Sequence, residues 1–337
     1  MTAVDRNAPL DSILMCWFPG GADAVSSRLL DGDFNDVYRV EKDGEVYALR
    51  VYTRTSTRRM IMEEQQVVRL LAERLPEVLP PIATAAGDFC VERDGRVAAL
   101  SRFAFGERPE RSVVYRNAAA ELLARVHRTS AELDICVIRN MYPRIQDLNW
   151  LSNRWWRWED TERYLRRASR DDTGGIELSE ILDRLKAALD EIPRAVGKLG
   201  ELGLPLVQVH GDYYPGNMKA RRGRITALFD WDETRVEWRA WEVGRSIWEF
   251  CKTDKGVLDV AAAGDFMDAY CAAGGSILQR ETHAFVLLMR ADILWGVSYS
   301  LGQAQRAVDA ERGLGTEWDY DSAQLSAMNT LREASLE

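Results

Sequence analysis

The stretch VQVHGDYYPGNMKARRGRITALFDWDE, residues 207–233, sets His210, Asp212, Asn217 and Asp230 between apolar runs. LVQV (206–209) reads as a short apolar strand, and so does ITALF (225–229), which follows a turn at Arg222-Gly223. MKAR (218–221) is the connecting strand. Asp212 comes after the first strand, Asp230 after the second, and Asn217 five residues past Asp212. If these strands are neighbours, the three side chains meet at one end of a small sheet. Two carboxylates and an amide oxygen there form a hard-oxygen set suited to Mg²⁺. The plainer alternative is a hairpin whose Asp and Asn only shape turns.

The order H-x-D-x-x-x-x-N, closed by a strand-ending Asp, is the arrangement found in kinases. In that arrangement the first Asp accepts the proton of the acceptor hydroxyl. The Asn and the second Asp hold the magnesium ions that bridge the ATP phosphates. Two departures stand out: HGD replaces the HRD of protein kinases, and FDWD replaces DFG.

HGDYYPGN together with FDWD resembles the aminoglycoside phosphotransferase family, which includes choline-kinase-like and type II homoserine-kinase-like enzymes. The resemblance covers roughly residues 25–300 and is strongest over 206–245. It implies an α+β, bilobal protein-kinase-like fold. A small antiparallel-sheet N-lobe would carry one main helix, and the larger C-lobe would be mostly helical. It also implies Asp212 as catalytic base, Asn217 and Asp230 as magnesium ligands, and His210 as an anchor of the loop.

A kinase also needs a cation on a strand for the nucleotide phosphates and a Glu on the next helix to hold that cation. Lys42 is the only lysine before residue 186 and sits in a turn, so the cation is Arg50 in YALRVY, a pattern familiar in the homoserine-kinase-like branch. On its own Arg50 also reads as an outward strand residue. STRRMIMEEQQVVRLLAERL (56–75) is an amphipathic helix with Met60, Val67, Leu71 and Leu75 on one face. Glu64 falls in that stripe, where a buried acid needs a cation, while Glu63 is rotated off it.

In LDGDFNDVY, Gly32 and Asn35 are the candidates for covering the phosphates, with an ordinary turn as the alternative. SRFAFGE (101–107) stands where the adenine-binding hinge is expected, so Arg102 and Ala104 would offer backbone groups. LLARVHR resembles the family's L-x-x-L-H helix and makes His127 a core residue under the catalytic loop; His283 reads likewise as core. Glu242 stands where the family has an Asp that braces that loop. Asp232 is a ligand of metal or substrate, or a solvated loop residue. Trp150, Trp155, Trp156 and Trp158 are core anchors or walls of an acceptor pocket.

Along the chain, strand patterns and two hairpins, turning at Lys42–Gly44 and at Asp94-Gly95, fill the first hundred residues. Helical patterns follow Gly106, at 117–133, 177–192 and from 259 onward. The expected division is a nucleotide-binding lobe over 1–104 and a helical lobe over 105–337. The second holds the catalytic loop (206–233) and an acceptor region at about 140–200 and 240–330.

The chain has 337 residues, 46% of them hydrophobic and 29% charged, which suits two lobes better than one core. Five scattered cysteines without a C-x-x-C predict free thiols in a cytoplasmic protein. The N-terminus lacks the pattern of a secretory signal, and no apolar run is long enough to span a bilayer. A net charge of −9 argues against a nucleic-acid partner. Residues 240–337 hold 15 acidic and 8 basic side chains, a surface that is either merely solvated or attractive to a cationic ligand.

The expected activity is therefore ATP-dependent transfer of the γ-phosphate to a hydroxyl of a small molecule, an antibiotic or an amino-bearing metabolite, by a monomer or homodimer. GTP is an open alternative to ATP. A homoserine- or choline-type metabolite kinase, and a Ser/Thr protein kinase of the same family, are the other readings. A non-catalytic nucleotide-binding module is disfavoured because base and metal positions are all filled. A metal-dependent hydrolase built on His210-x-Asp212 is more distant, since such sites draw on several histidines and this chain has three.

Overall fold

The computed structural model describes residues 8–29, 35–52, 56–135, 144–145, 178–254 and 256–309. Gly32 and the four tryptophans at 150–158 lie outside them. By contacts the chain forms two compact units. One comprises Met1–Arg139 and His210–Arg235, and the other Asn140–Val209 and Val236–Glu337.

The first unit opens with helix α1 (Ala8–Leu14), which the sequence patterns did not reveal. Its sheet runs in the order β1-β2-β3-β5-β4, from β1 (Ala24–Leu29), β2 (Asp36–Lys42), β3 (Glu45–Val51), β4 (Val91–Arg93) and β5 (Arg96–Arg102). Every pairing is antiparallel. Both expected hairpins form. Asp43-Gly44 and Asp94-Gly95 each place two successive residues at positive φ, the two-residue turn that matches the twist of the strands it joins. Leu10, Ile13, Leu14 and Trp17 bury against Val40, Leu49, Val51, Ala98 and Leu100, so α1 closes one face of the sheet.

Helix α2 (Arg58–Ala72) starts where Thr57 caps it, the Thr side chain accepting from the Met60 N–H. Its buried face is Ile61, Glu64, Gln65, Val67, Val68 and Leu71. Glu64 points inward as expected, but Met60 is only half-buried and Ile61 takes the core position instead. Helix α3 (Val113–Glu132) follows the hinge segment, with His127 buried in it.

The catalytic stretch departs from expectation in its pairing. β7 (Met218–Arg221) and β8 (Arg224–Leu228) form one antiparallel ribbon. β6 (Leu206–Val209) pairs instead with β9 (Arg235–Trp238). The two aspartate-bearing strand ends therefore do not come from adjacent strands. The ribbon is held by backbone bonds in both directions between Glu107 and Ala220 and by Leu228 N–H to the Glu77 carbonyl; Glu77 is in turn tied to α3 by its ion pair with Arg125, whose two bonds measure 2.7 and 3.0 Å.

The second unit is mostly helical. It contains α4 (Leu178–Leu199), α5 (Arg239–Cys251), α6 (Val260–Ala272), the short α7 (Gln279–Thr282) and α8 (Phe285–Asp309). Leu185, Ile192, Val196, Val243, Ile247, Phe250, Phe266, Leu288 and Leu294 are all buried in it. On α4, Ala188 is buried beside Leu185, while Leu189 is only half-buried. Among the described residues no helix is long and apolar enough to cross a membrane.

Candidate active site

His210 organises the loop after β6. Its Nδ1 accepts from the Asp212 backbone N–H at 3.2 Å, so Nε2 carries the proton and donates to the Phe229 carbonyl at 3.0 Å. The ring is fully buried and lies 4.4 Å from the Trp231 ring, with Tyr213 edge-on at 6.0 Å. This bond pair, rather than strand adjacency, brings the Asp212 loop to the end of β8. His210 is an anchor and has no ring nitrogen left for chemistry.

Gly211 accounts for the HGD departure. Its φ is +91°, and a Cβ there would sit 2.3 Å from the Glu233 carbonyl oxygen. The backbone passes against the Asp230–Glu233 segment too closely for any side chain. Tyr213 sends its hydroxyl to the Ala119 carbonyl on α3 at 2.6 Å and so seats the loop on that helix.

Asn217 is 5% exposed, and its Nδ2 donates to the Asp212 carboxylate at 2.6 Å and to the Asp212 carbonyl at 3.0 Å. Both donated bonds go to Asp212, so the amide oxygen is the candidate ligand atom. The Asn217 carbonyl accepts from the Phe229 N–H, the residue before Asp230. Asp212, Asn217 and Asp230 are thus linked through one short chain of bonds. Asp230 itself has a φ of +68°, unusual for a residue with a side chain and a form of strain that clusters at functional sites.

Arg50 lies on β3 with its Nη2 2.5 Å from Asp230 and 3.2 Å from Asp232. Asn35, buried just before β2, donates to the same Asp232 oxygen at 3.1 Å. Asp232 therefore holds the candidate phosphate-binding residues and is not a merely solvated loop residue. Burial opposes charge on Arg50, but the two aspartates outweigh it and keep the guanidinium firmly ionised. Burial also opposes ionising Asp230; Arg50 and a hydrogen bond from Asp232 reverse that and hold it below the usual carboxylate range. Asp232 moves the other way, pushed well above that range by burial and then by the charge of Asp230. Asp230 is 34% exposed and Asp232 17%, so the more enclosed carboxyl is the harder of the two to ionise, as expected when two acids share one site.

Glu64 is 2% exposed and accepts from the Tyr52 hydroxyl at 2.7 Å and from Gln65 at 3.0 Å. Its charge also favours the protonated form of Arg50. Tyr52 and Gln65 were not singled out from the sequence. The available signal was Tyr52 standing two residues after Arg50, on the same side of an extended chain. In the segment expected to form the hinge, the Arg102 side chain reaches Glu45 at 2.8 Å and is exposed, while Phe103 N–H bonds to the Val46 carbonyl. Ala104 follows, half-buried and outside the sheet ladder. Glu242 is fully buried on α5 in the second unit, and His283 follows α7 there.

The donor set fits a magnesium–nucleotide. The Arg50 Nε is buried with no hydrogen-bond partner, an orphan donor that suits a phosphate oxygen. Among the described residues no three His, Cys, Asp or Glu side chains group into a metal cage. One carboxylate and one amide oxygen beside a phosphate site suit a cation that shares its shell with substrate and water.

These features define a phosphoryl-transfer enzyme of protein-kinase-like fold. The phosphotransferase enzyme family profile matches residues 27–281, and the chain belongs to that family. Comparison with curated proteins returns no match. Among solved structures, the chain is similar to the amicoumacin kinase hAmiN in complex with AMP-PNP, Ca²⁺ and Ami, with TM-score 0.70 and 14% identity over 99% of this chain and 95% of that one. It is also similar to a microcompartment-associated aminopropanol kinase (TM-score 0.69, 16% identity, 95% of each chain). A third is the spectinomycin phosphotransferase APH(9)-Ia in complex with ADP and spectinomycin (TM-score 0.62, 12% identity, 99% of this chain and all of that one).

Proposed function

We propose that this protein transfers the γ-phosphate of ATP to a hydroxyl of a small amine-bearing molecule, an antibiotic or an amino alcohol. The observation that carries the reading is the Asp212 carboxylate, fixed by Asn217 at 2.6 Å and linked through the same asparagine to the Asp230 segment. Asp212 would take the acceptor's proton, and its backbone tether to His210 keeps the carboxylate from swinging out of line. Arg50, Asn35 and Gly32 would hold the phosphates, with Arg102 and Ala104 offering backbone groups to the base. Asn217 and Asp230 would hold Mg²⁺, whose chemistry when bound is neutralisation of charge on the transferring phosphoryl group. Glu242 would brace the catalytic loop, and the functional division would be 1–104 and 105–337. GTP as donor would use the same backbone groups.

The acceptor class rests on the acidic balance of residues 240–337 and on the antibiotic and amino-alcohol substrates named for similar structures. The hydrolase reading is disfavoured because both nitrogens of His210 are engaged by backbone.

A screen of phosphoryl transfer from ATP over antibiotics, amino alcohols, sugars and a Ser/Thr peptide tests the reading. Asp212→Asn should lower kcat by about 10²–10⁴-fold while nucleotide affinity stays within about threefold. Wild-type turnover in that variant would remove Asp212 as base, and transfer to the peptide alone would make the enzyme a protein kinase.

A further inference from the structure

The phosphate-binding arginine needs more than charge. A guanidinium is planar, and its use depends on the plane being aimed. Asp230 and Asp232 hold the Nη2 end of Arg50. Its Cζ lies over the Tyr52 ring, 5.2 Å from the ring centre. Tyr52 is 1% exposed, and its hydroxyl is fixed from both sides. Gln65 Nε2 donates to that oxygen at 3.0 Å, so the hydroxyl proton must go to Glu64, at 2.7 Å. Gln65 Nε2 also reaches Glu64 Oε1 at 3.0 Å and closes a three-membered ring of bonds.

We propose that Tyr52 is the positioning residue for Arg50: its ring supports the guanidinium, and its hydroxyl, oriented by Gln65, carries the hold of Glu64 on helix α2 across to strand β3. The inference rests on the kinase reading above and adds a residue to it. Burial, then the charge of Glu64, keeps the phenol protonated far above neutral pH, so the donated bond persists through the working range. The Tyr52 backbone is itself pinned, its N–H bonded to the Val97 carbonyl at 2.9 Å, so the ring cannot drift along the strand. Arg50 contacts phosphate before and during transfer alike, so loss of its aim weakens nucleotide binding more than turnover.

The test is titration of the full-length protein with a magnesium-bound non-hydrolysable ATP analogue, with steady-state kinetics and a thermal melt beside it. Tyr52→Phe keeps the ring and removes the hydroxyl. Its nucleotide affinity should fall by about five- to tenfold, with kcat at saturating nucleotide within about twofold of wild type. In an Arg50→Lys background the same change should cost less than about twofold, because Tyr52 acts through the guanidinium plane. Should Tyr52→Phe fail to fold, Gln65→Met carries the same test, since it leaves the hydroxyl unoriented. Unchanged affinity in the folded variant overturns the proposal. So does an equal loss in both backgrounds, or a lowered melt with kcat reduced and affinity intact, which would make Tyr52 a core residue only. If wild type binds no magnesium–nucleotide, the kinase reading falls and this inference with it.

Discussion

Gly211 is the residue whose identity the loop leaves least choice about. A side chain there would face both a left-handed backbone, costing about 1–2 kcal/mol, and a Cβ set against the Glu233 carbonyl. Gly211→Ala should therefore lower thermal stability and cost transfer activity, by displacing the bond from Asp212 N–H to His210. Circular dichroism melts with parallel kinetics check this, and an alanine variant with wild-type melt and turnover would show that the loop relaxes freely. The same residue shows how the sequence could mislead. Against protein kinases Gly211 looks like a lost arginine, yet its lack of a side chain is what lets the backbone before Asp212 pass against Glu233. Asp232 is a second such case. Its spacing was ambiguous between ligand and solvated acid; the fold gives it Asn35 and Arg50 as partners, 197 and 182 residues away in the chain.

Among elements, the hairpins and amphipathic helices were legible because their signals are local. Asp-Gly turns, alternation and a Thr cap each act within a few residues. The pairing of β6 with β9 was not legible, because two short apolar strands carry no label for their partner. Elements in the second unit are held by a pair that periodicity also does not reveal. Arg239, at the start of α5, donates to Glu281 through Nε at 3.1 Å and Nη2 at 2.5 Å, and Glu281 is fully buried. Glu281 also accepts from the Leu278 N–H at 2.9 Å, so it caps α7 as well. Glu281→Ala should destabilise the protein by about 3–5 kcal/mol, since it strands a buried cation. Chemical denaturation measures this, and Arg239→Met with Glu281→Leu should recover much of the loss. If the single alanine costs under about 1 kcal/mol, the pair is solvated and unimportant.

For the molecule as a whole, ligand linkage is the useful measure. A magnesium–nucleotide at 100 times its Kd stabilises the binding-competent form by about 2.7 kcal/mol. Its addition should raise the melting temperature, a chelator should remove most of the rise, and Asp230→Ala should abolish the magnesium-dependent part while leaving the unliganded melt close to wild type. An equal rise with and without magnesium would take Asp230 out of the metal shell. The two-part organisation follows from length, because 337 residues exceed what one core covers. The contact-based units, with His210–Arg235 grouped with Met1–Arg139, could not be read from linear order.

What the sequence by itself determined is the reaction class. HGDYYPGN and FDWD hold the candidate base, the candidate metal ligands and the loop glycine within about twenty residues, a distance over which spacing constrains placement. What only the tertiary structure decided is how that loop is tied to the rest. His210 bonds across to Phe229, Arg50 is held by Asp230 and Asp232, and Tyr52 joins Arg50 to Glu64. The links from Arg50 to Asp230 and Asp232 span 180 and 182 residues, and contacts of that kind, like the shorter tertiary ones, are chosen by packing and by the need of each buried polar group for a partner. Neither requirement leaves a periodic trace in the sequence.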